Sequence, residues 1–279
     1  LSYNELFDEV EKLASALRKI GIQQGDRVAG FMPNMPETII AMLATASIGA
    51  IWSSSSPDFG IKGVLDRFTQ IEPKVLFAAN GYYYNGKKFD SLEKLNSILD
   101  QLPSVDHVVV TPYTDSNHNI SSVKNGILWD NFIDSNPSPL KFEQLPFQHP
   151  LYIMYSSGTT GLPKSIVHGA GGTLIQHLKE LRLHCNIYPE DTIFYFTTCG
   201  WMMWNWLVSN LAIGAAIVLY DGSPLQPNSN AMWDMVDELG ITHFGTSAKY
   251  IDACRQEGLS PIKTHSLESM RTIFSTGSP

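Results

Sequence analysis

Apolar residues recur at helical spacing from the start of the chain. Leu6, Val10, Leu13, Leu17 and Ile20 follow a Ser2-x-x-Glu5 capping box, and Gly21 supplies a stop. The pattern then changes period. A short apolar run over 27–32 reads as a strand, Pro33 and Pro36 make a turn, and an apolar helix continues to residue 47. Residues 50–53 look strand-like, 60–71 form a helix ended by Pro73, and 75–79 and 107–110 are further strands. The alternation resumes after residue 150. It gives strands at 151–155, 165–168, 192–196, 216–220, 242–245 and 271–275, and helices at 173–183, 203–212, 231–239 and 248–257. Short apolar strands alternating with amphipathic helices predict an α/β fold with parallel or mixed sheets flanked by helices.

Two segments break the pattern. Residues 80–90 and 112–150 are rich in Asn, Ser, Pro and Tyr and read as irregular connections. The expected organisation is a first α/β subdomain over 1–150, with the irregular 112–150 stretch at its end, and a second over 151–279. No repeat of fixed period is visible, which argues against a solenoid.

Composition narrows the class. The chain has 279 residues, 43% hydrophobic and 11% aromatic, values suited to a globular core. A formal net charge of −8 argues against broad binding to nucleic acid or anionic membranes, while leaving room for a local anion site. Cys185, Cys199 and Cys254 lie far apart without CxxC spacing, so neither a disulfide framework nor a zinc site is expected, and a cytoplasmic setting fits. The apolar stretches 38–52 and 207–220 are too short and interrupted for stable membrane insertion, and no signal peptide is read. The chain starts at Leu1, already at a helix start, and ends at Pro279 inside a motif, so an internal fragment is expected. Oligomeric state is not legible.

The most informative chemistry lies at Tyr155 to His168, YSSGTTGLPKSIVH. A strand opening into a Gly/Ser/Thr loop leaves backbone N–H groups uncovered, and such a nest with an added ammonium suits a polyphosphate. A plain surface hairpin has the same composition. The loop is not a Walker A motif, because Pro163 stands where Gly should precede the lysine and Ile166 and Val167 favour a strand over a helix.

The run from Ser156 to Lys164 resembles the phosphate loop of the adenylate-forming superfamily, which includes acyl-CoA synthetases, luciferases and peptide-synthetase adenylation domains. Other runs match in order: LSYNEL at Leu1, GIQQGDRV at Gly21, MPNMPE at Met32, Gly200-Trp201, LAIGA at Leu211 and TGSP at Thr276. The stretches GLPKSIVH at Gly161, GGTLIQHLKE at Gly171 and CGWMMWNW at Cys199 are most similar to the acetoacetate-activating branch. Most relatives have Gly where this chain has Ser165.

The resemblance implies the large N-terminal domain of an adenylate-forming enzyme, incomplete at its C-terminal side and without the mobile C-terminal domain. It implies an acid–thiol ligase using small-molecule substrates: ATP with Mg²⁺, an acid, here acetoacetate, and coenzyme A. Another short-chain acid, or a non-catalytic nucleotide-binding role, are the alternatives. A carboxylate would attack the α-phosphorus, and the thiol would then attack the acyl-adenylate. Negative charge builds up there, so oriented donors and cations are needed.

The same resemblance implies roles for particular residues. Ser156, Ser157, Gly158, Thr159, Thr160, Gly161 and Lys164 would hold the ATP phosphates, with Lys164 as the catalytic cation. Gly277, Ser278 and Pro279 would contact adenine, although Gly-Ser-Pro also makes an ordinary strand-to-turn junction. Trp201, Asn205 and Thr246 would line the acyl pocket, although aromatics at helical spacing are more often core. Lys87 would meet coenzyme A, where acetyl-activating relatives carry arginines at Tyr84 and Lys87. The Mg²⁺ ligand is expected beyond Pro279. Adenylation needs no general base, because the acid is already ionised. His168, His177 and His184 are therefore read as structural.

Overall fold

The computed structural model describes residues 1–114, 119–156 and 161–277. In chain order the first elements are α1 (Tyr3–Lys19), β1 (Arg27–Phe31), α2 (Pro36–Ser47), β2 (Ile51–Ser55), α3 (Ile61–Ile71) and β3 (Val75–Ala79). Next come β4 (Gly81–Tyr84), β5 (Lys87–Asp90), α4 (Leu92–Leu99), β6 (His107–Thr111), β7 (Gly126–Leu128) and α5 (Trp129–Phe132). They are followed by β8 (Pro150–Ser156), β9 (Lys164–Gly169), α6 (Ala170–Lys179), β10 (Thr192–Tyr195), α7 (Met202–Val208) and β11 (Ala216–Val218). The last are α8 (Ala231–Leu239), β12 (His243–Ser247), α9 (Ala248–Gln256), α10 (Pro261–Thr264) and β13 (Thr272–Thr276).

Among the described residues the chain divides into two compact units, 1–82 with 88–173, and 83–87 with 174–279. The first holds a seven-stranded sheet in the order β7-β6-β3-β1-β2-β8-β9. Its strands pair in parallel except β8 with β9, which are antiparallel. The second unit holds a parallel sheet in the order β11-β10-β12-β13.

Both faces of the central strands β1, β3 and β6 are covered, which is why these read as nearly continuous apolar runs. Alternate residues take opposite faces. Ala29, Phe31, Leu76, Ala78, Val108 and Val110 pack with Val64 and Phe68 of α3 and Leu95 and Ile98 of α4. On the other side Phe77 meets Trp52, Trp129 and Phe132, with ring centroids 6.5, 5.7 and 6.2 Å away. Gly30 is required beneath Trp52: a Cβ there would lie 2.6 Å from the indole. The second sheet repeats the device. Phe194 and Phe244 pack against Met232, Trp233, Val236 and Tyr250, whereas Ile193 and Tyr195 pack against Leu181, Trp206, Leu207 and Ala215.

The capping box forms as read: Ser2 N–H donates to Glu5 Oε2 at 2.7 Å, and Glu5 N–H to Ser2 Oγ at 3.3 Å. Three expectations need revision. Residues 80–90 are not irregular; they form the β4–β5 hairpin, with Tyr82 stacked on Phe89 at 5.1 Å. The 112–150 stretch contains β7 and α5. The boundary between compact units falls at residue 173 rather than near 150, because β8 pairs with β2 through Trp52 and Tyr152 and carries β9 with it. Both strands around the Gly/Ser/Thr loop thus belong to the first unit.

Among the described residues no helix is long and apolar enough to cross a membrane.

Candidate functional site

The strands β8 and β9 run antiparallel in the register Ser156↔Lys164, Tyr155↔Ser165, Met154↔Ile166. Directly paired residues on antiparallel strands project from the same face. Ser156 and Lys164 therefore stand side by side where the loop leaves and re-enters the sheet. Ser156 is half-buried and Lys164 exposed. Gly161 adopts φ +131, with open space where a Cβ would sit, so backbone conformation rather than crowding favours glycine there. Ser157, Gly158, Thr159 and Thr160, expected to complete the loop, lie outside the described residues.

Side chains of the first unit support this strand pair. The Tyr155 phenol lies 3.1 Å from Ser53 Oγ, and burial pushes its pKa up to about 12. The Arg67 guanidinium of α3 stacks on Phe59 and Tyr155, with its carbon 4.8 and 5.7 Å from the ring centroids. Burial lowers the Arg67 pKa from its ordinary value, but the group stays cationic. Gln70, three residues on, bonds to Pro163 and Ser165 on either side of Lys164. Sequence reading missed Arg67 and Gln70, since Gln70 lies 93 residues from Pro163, Arg67 is similarly distant from Tyr155, and no local pattern marks such contacts.

His168 packs against the Tyr152 ring at 5.1 Å, and burial lowers its pKa. His177 is buried, with Nδ1 2.7 Å from Ser209 Oγ. Both fit the structural reading.

In the second unit the remaining candidates sit on or beside α7 and at strands β5, β12 and β13. The tryptophans of CGWMMWNW separate cleanly. Trp204 and Trp206 are buried, while Trp201, the residue before α7, is 52% exposed. Asn205 is buried on α7 at 3% exposure, and its backbone carbonyl accepts from Ser209 Oγ at 2.9 Å. Thr246 is buried on β12 and pairs with Ser275 of β13, two residues before Gly277. Its Oγ1 has no hydrogen-bond partner among the described residues.

Tyr195 ties these strand ends together. Its phenol donates to the Thr246 carbonyl at 3.3 Å and lies 3.0 Å from Thr276 Oγ1. Gly277 has φ +98 and open space around the missing Cβ, a backbone over which a flat ligand can lie closely. Ser278 and Pro279 lie outside the described residues. Lys87 is exposed at the start of β5, and beside it the Tyr83 N–H donates to Asp221 Oδ2 at 3.1 Å.

Parallel strands offer ligands the space beyond their carboxyl ends. Thr246, Ser247, Thr276 and Gly277 occupy that position in the second unit, and Ser156 with Lys164 forms an anion-ready corner in the first. Among the described residues no group of three or more His, Cys, Asp or Glu could hold a metal, so no Mg²⁺ ligand is assigned.

Comparison with known proteins extends this picture. The AMP-binding enzyme family matches residues 1–279. Acetoacetyl-CoA synthetase of Danio rerio is 54% identical over 287 residues, covering all of this chain and 42% of the relative. Acetoacetyl-coenzyme A synthetase of Rhizobium meliloti strain 1021 is 55% identical over 281 residues, covering all of this chain and 43% of the relative. The solved structure of acetoacetyl-CoA synthetase from Streptomyces lividans superposes with a TM-score of 0.93 at 44% identity, over 99% of this chain and 42% of that one. The chain thus spans less than half the length of the relatives it matches.

Proposed function

Because the chain belongs to the AMP-binding enzyme family, we propose that it carries the nucleotide-binding portion of an ATP-dependent acid–thiol ligase, with acetoacetate as the acid. The observation that carries this reading is the identity of 54–55% to acetoacetyl-CoA synthetases along the whole chain, the phosphate-loop run included. The reaction would be acetoacetate + ATP + coenzyme A giving acetoacetyl-CoA + AMP + pyrophosphate.

The residues divide the work by chemistry. In the first step a carboxylate oxygen bonds to the α-phosphorus and pyrophosphate departs with the electron pair of the broken P–O bond. Both reactants are anions, so a cation and oriented donors at the departing phosphates lower the barrier. Lys164 would supply a compact charge beside Ser156, its register partner across the strand pair. Mg²⁺ would arrive with the nucleotide, shared mostly with phosphate oxygens and water. The backbone around Gly277 would receive adenine. Trp201 and Thr246 would line the acid pocket, with Asn205 supporting it from within α7. Lys87 would meet a phosphate of coenzyme A, whose thiol displaces AMP in the second step.

The test is acid-dependent pyrophosphate release by the full-length protein with ATP and Mg²⁺, comparing acetoacetate with acetate, propionate and butyrate. Preference for acetoacetate supports the whole reading. Preference for another acid keeps the ligase and removes the substrate assignment. No release with any acid leaves nucleotide binding without turnover. A cytoplasmic location belongs to the same reading and is checked by fractionation.

A further inference from the structure

One side chain holds the backbone on both sides of Lys164. Gln70, the penultimate residue of α3, donates from Nε2 to the Pro163 carbonyl at 2.9 Å and accepts at Oε1 from Ser165 Oγ at 3.0 Å. The same Nε2 reaches the Asp66 carbonyl at 2.5 Å, which ties the amide to its own helix. Chemistry fixes the orientation of this amide. Both carbonyls can only accept, so the nitrogen must face them and the oxygen must face the serine. Pro163 has no N–H, so its carbonyl is the one backbone polar group through which that position can be gripped.

The grip falls on the peptide joining Pro163 to Lys164 and on the residue after it. Lys has four rotatable side-chain bonds and a pointlike charge, so it cannot orient itself as an arginine fork does. Where its ammonium sits depends on where its Cα is held. On one side the register pair with Ser156 holds it; on the other, Gln70 does. Arg67, one helical turn earlier on α3, presses on Tyr155 of the facing strand, so α3 braces both strands of the pair.

We propose that Gln70 is a positioning residue for Lys164, acting through Pro163 and Ser165 to place the ammonium against the nucleotide phosphates. The proposal rests on the phosphate role of Lys164 given above. It also assigns Ser165 a purpose: its hydroxyl satisfies the Oε1 of Gln70 and thereby leaves Nε2 aimed at Pro163.

Gln70 and Ser165 are exposed, so their loss leaves the core intact, and this separates positioning from a merely structural role. In the full-length protein, Gln70→Ala is expected to raise KM for ATP about tenfold, the size of one well-placed polar contact. KM for the acid should stay within about twofold and the melting temperature within about 3 °C. Ser165→Gly should show a smaller rise, and Gln70→Ala with Ser165→Gly should equal Gln70→Ala alone, because the serine acts through the glutamine. Gln70→Glu keeps the acceptor for Ser165 but faces Pro163 with an oxygen, so it should be at least as impaired as the alanine variant. An unchanged KM for ATP in Gln70→Ala, or equal losses for ATP and acid, overturns the proposal. If the wild-type protein releases no pyrophosphate, the proposed reaction fails on its own account, and calorimetric binding of ATP with Mg²⁺ decides the matter. Weaker binding by Gln70→Ala supports the proposal; equal binding, or none to either form, overturns it.

Discussion

The phenol of Tyr195 on β10 lies 3.0 Å from the Thr276 hydroxyl on β13, two strands that are not neighbours in their sheet. The ring crosses β12 at Gly245, where a Cβ would fall inside it. A missing side chain on the middle strand thus lets the outer two join, at the end of the sheet that carries Thr246 and Gly277.

Gly245→Ala is expected to destabilise the protein by about 1–3 kcal/mol, the usual cost of forcing an atom into a packed core. The urea denaturation midpoint should fall with an unchanged m-value. A midpoint equal to that of the wild type would mean the Tyr195 ring has room to move aside.

Tyr195→Phe keeps the ring and loses its hydrogen bonds. We expect a stability loss of about 0.5–1.5 kcal/mol. A few-fold rise in KM for ATP should accompany it, as Thr276 and then Gly277 lose their tether. Isothermal denaturation together with steady-state kinetics reads both effects. A stability loss with no kinetic change would confine Tyr195 to the fold.

Lys164→Ala should lower kcat/KM for ATP by about 10²–10³-fold, the scale of removing one preorganised electrostatic contact. Thermal stability should hardly change, because the side chain is exposed. Lys164→Arg should recover part of the loss. Equal kinetic losses for ATP and acid would argue against a phosphate role.

Trp201→Ala should leave stability within about 0.5 kcal/mol, since its ring is 52% exposed. It should change KM for the acid. Trp204→Ala, which empties a fully buried site, should cost about 3–5 kcal/mol. Thermal melts distinguish the two, and comparable losses would contradict the division of this tryptophan run into core and pocket.

Asp134 gives a pH prediction. An ion pair with Lys19 at 2.6 Å, then a hydrogen bond from Ser15, hold its carboxyl down at about 2. The folded pKa lies below the unfolded value of about 3.9. Its stabilisation is therefore complete above that value and lost as pH falls toward 2. The stability gap between wild type and Asp134→Asn should be widest near pH 5 and shrink by pH 2.5 in urea titrations. A constant gap would mean that Asp134 does not titrate in this window.

Much of the architecture was legible before any coordinates, because its causes are local. Two covered sheet faces demand strands such as 75–79 that are apolar throughout, and Ser2 with Glu5 caps a helix through neighbours three residues apart. The strands on either side of the Gly/Ser/Thr run, and the place of Lys164 at the start of the second, were likewise visible, since Ile166 and Val167 favour a strand locally. The 80–90 hairpin had a local sign that the irregular reading passed over: Asn85-Gly86, at φ +50 and +70, is the two-residue turn that joins β4 to β5, and only the Tyr82–Phe89 stack depends on the pairing itself.

Tertiary structure decided what depends on distant partners. It placed β8 and β9 in the first sheet beside β2, although the irregular 112–150 stretch promised a new subdomain after 150. It divided three tryptophans on one short stretch into two core residues and one exposed ring. It set Gln70 against Pro163 and Ser165, and Tyr195 across Gly245 to Thr276. Periodicity and propensity act over a few residues, so they determine elements and local motifs. Which side chains meet across a sheet or brace a loop is settled only when burial of the apolar faces fixes how those elements stack.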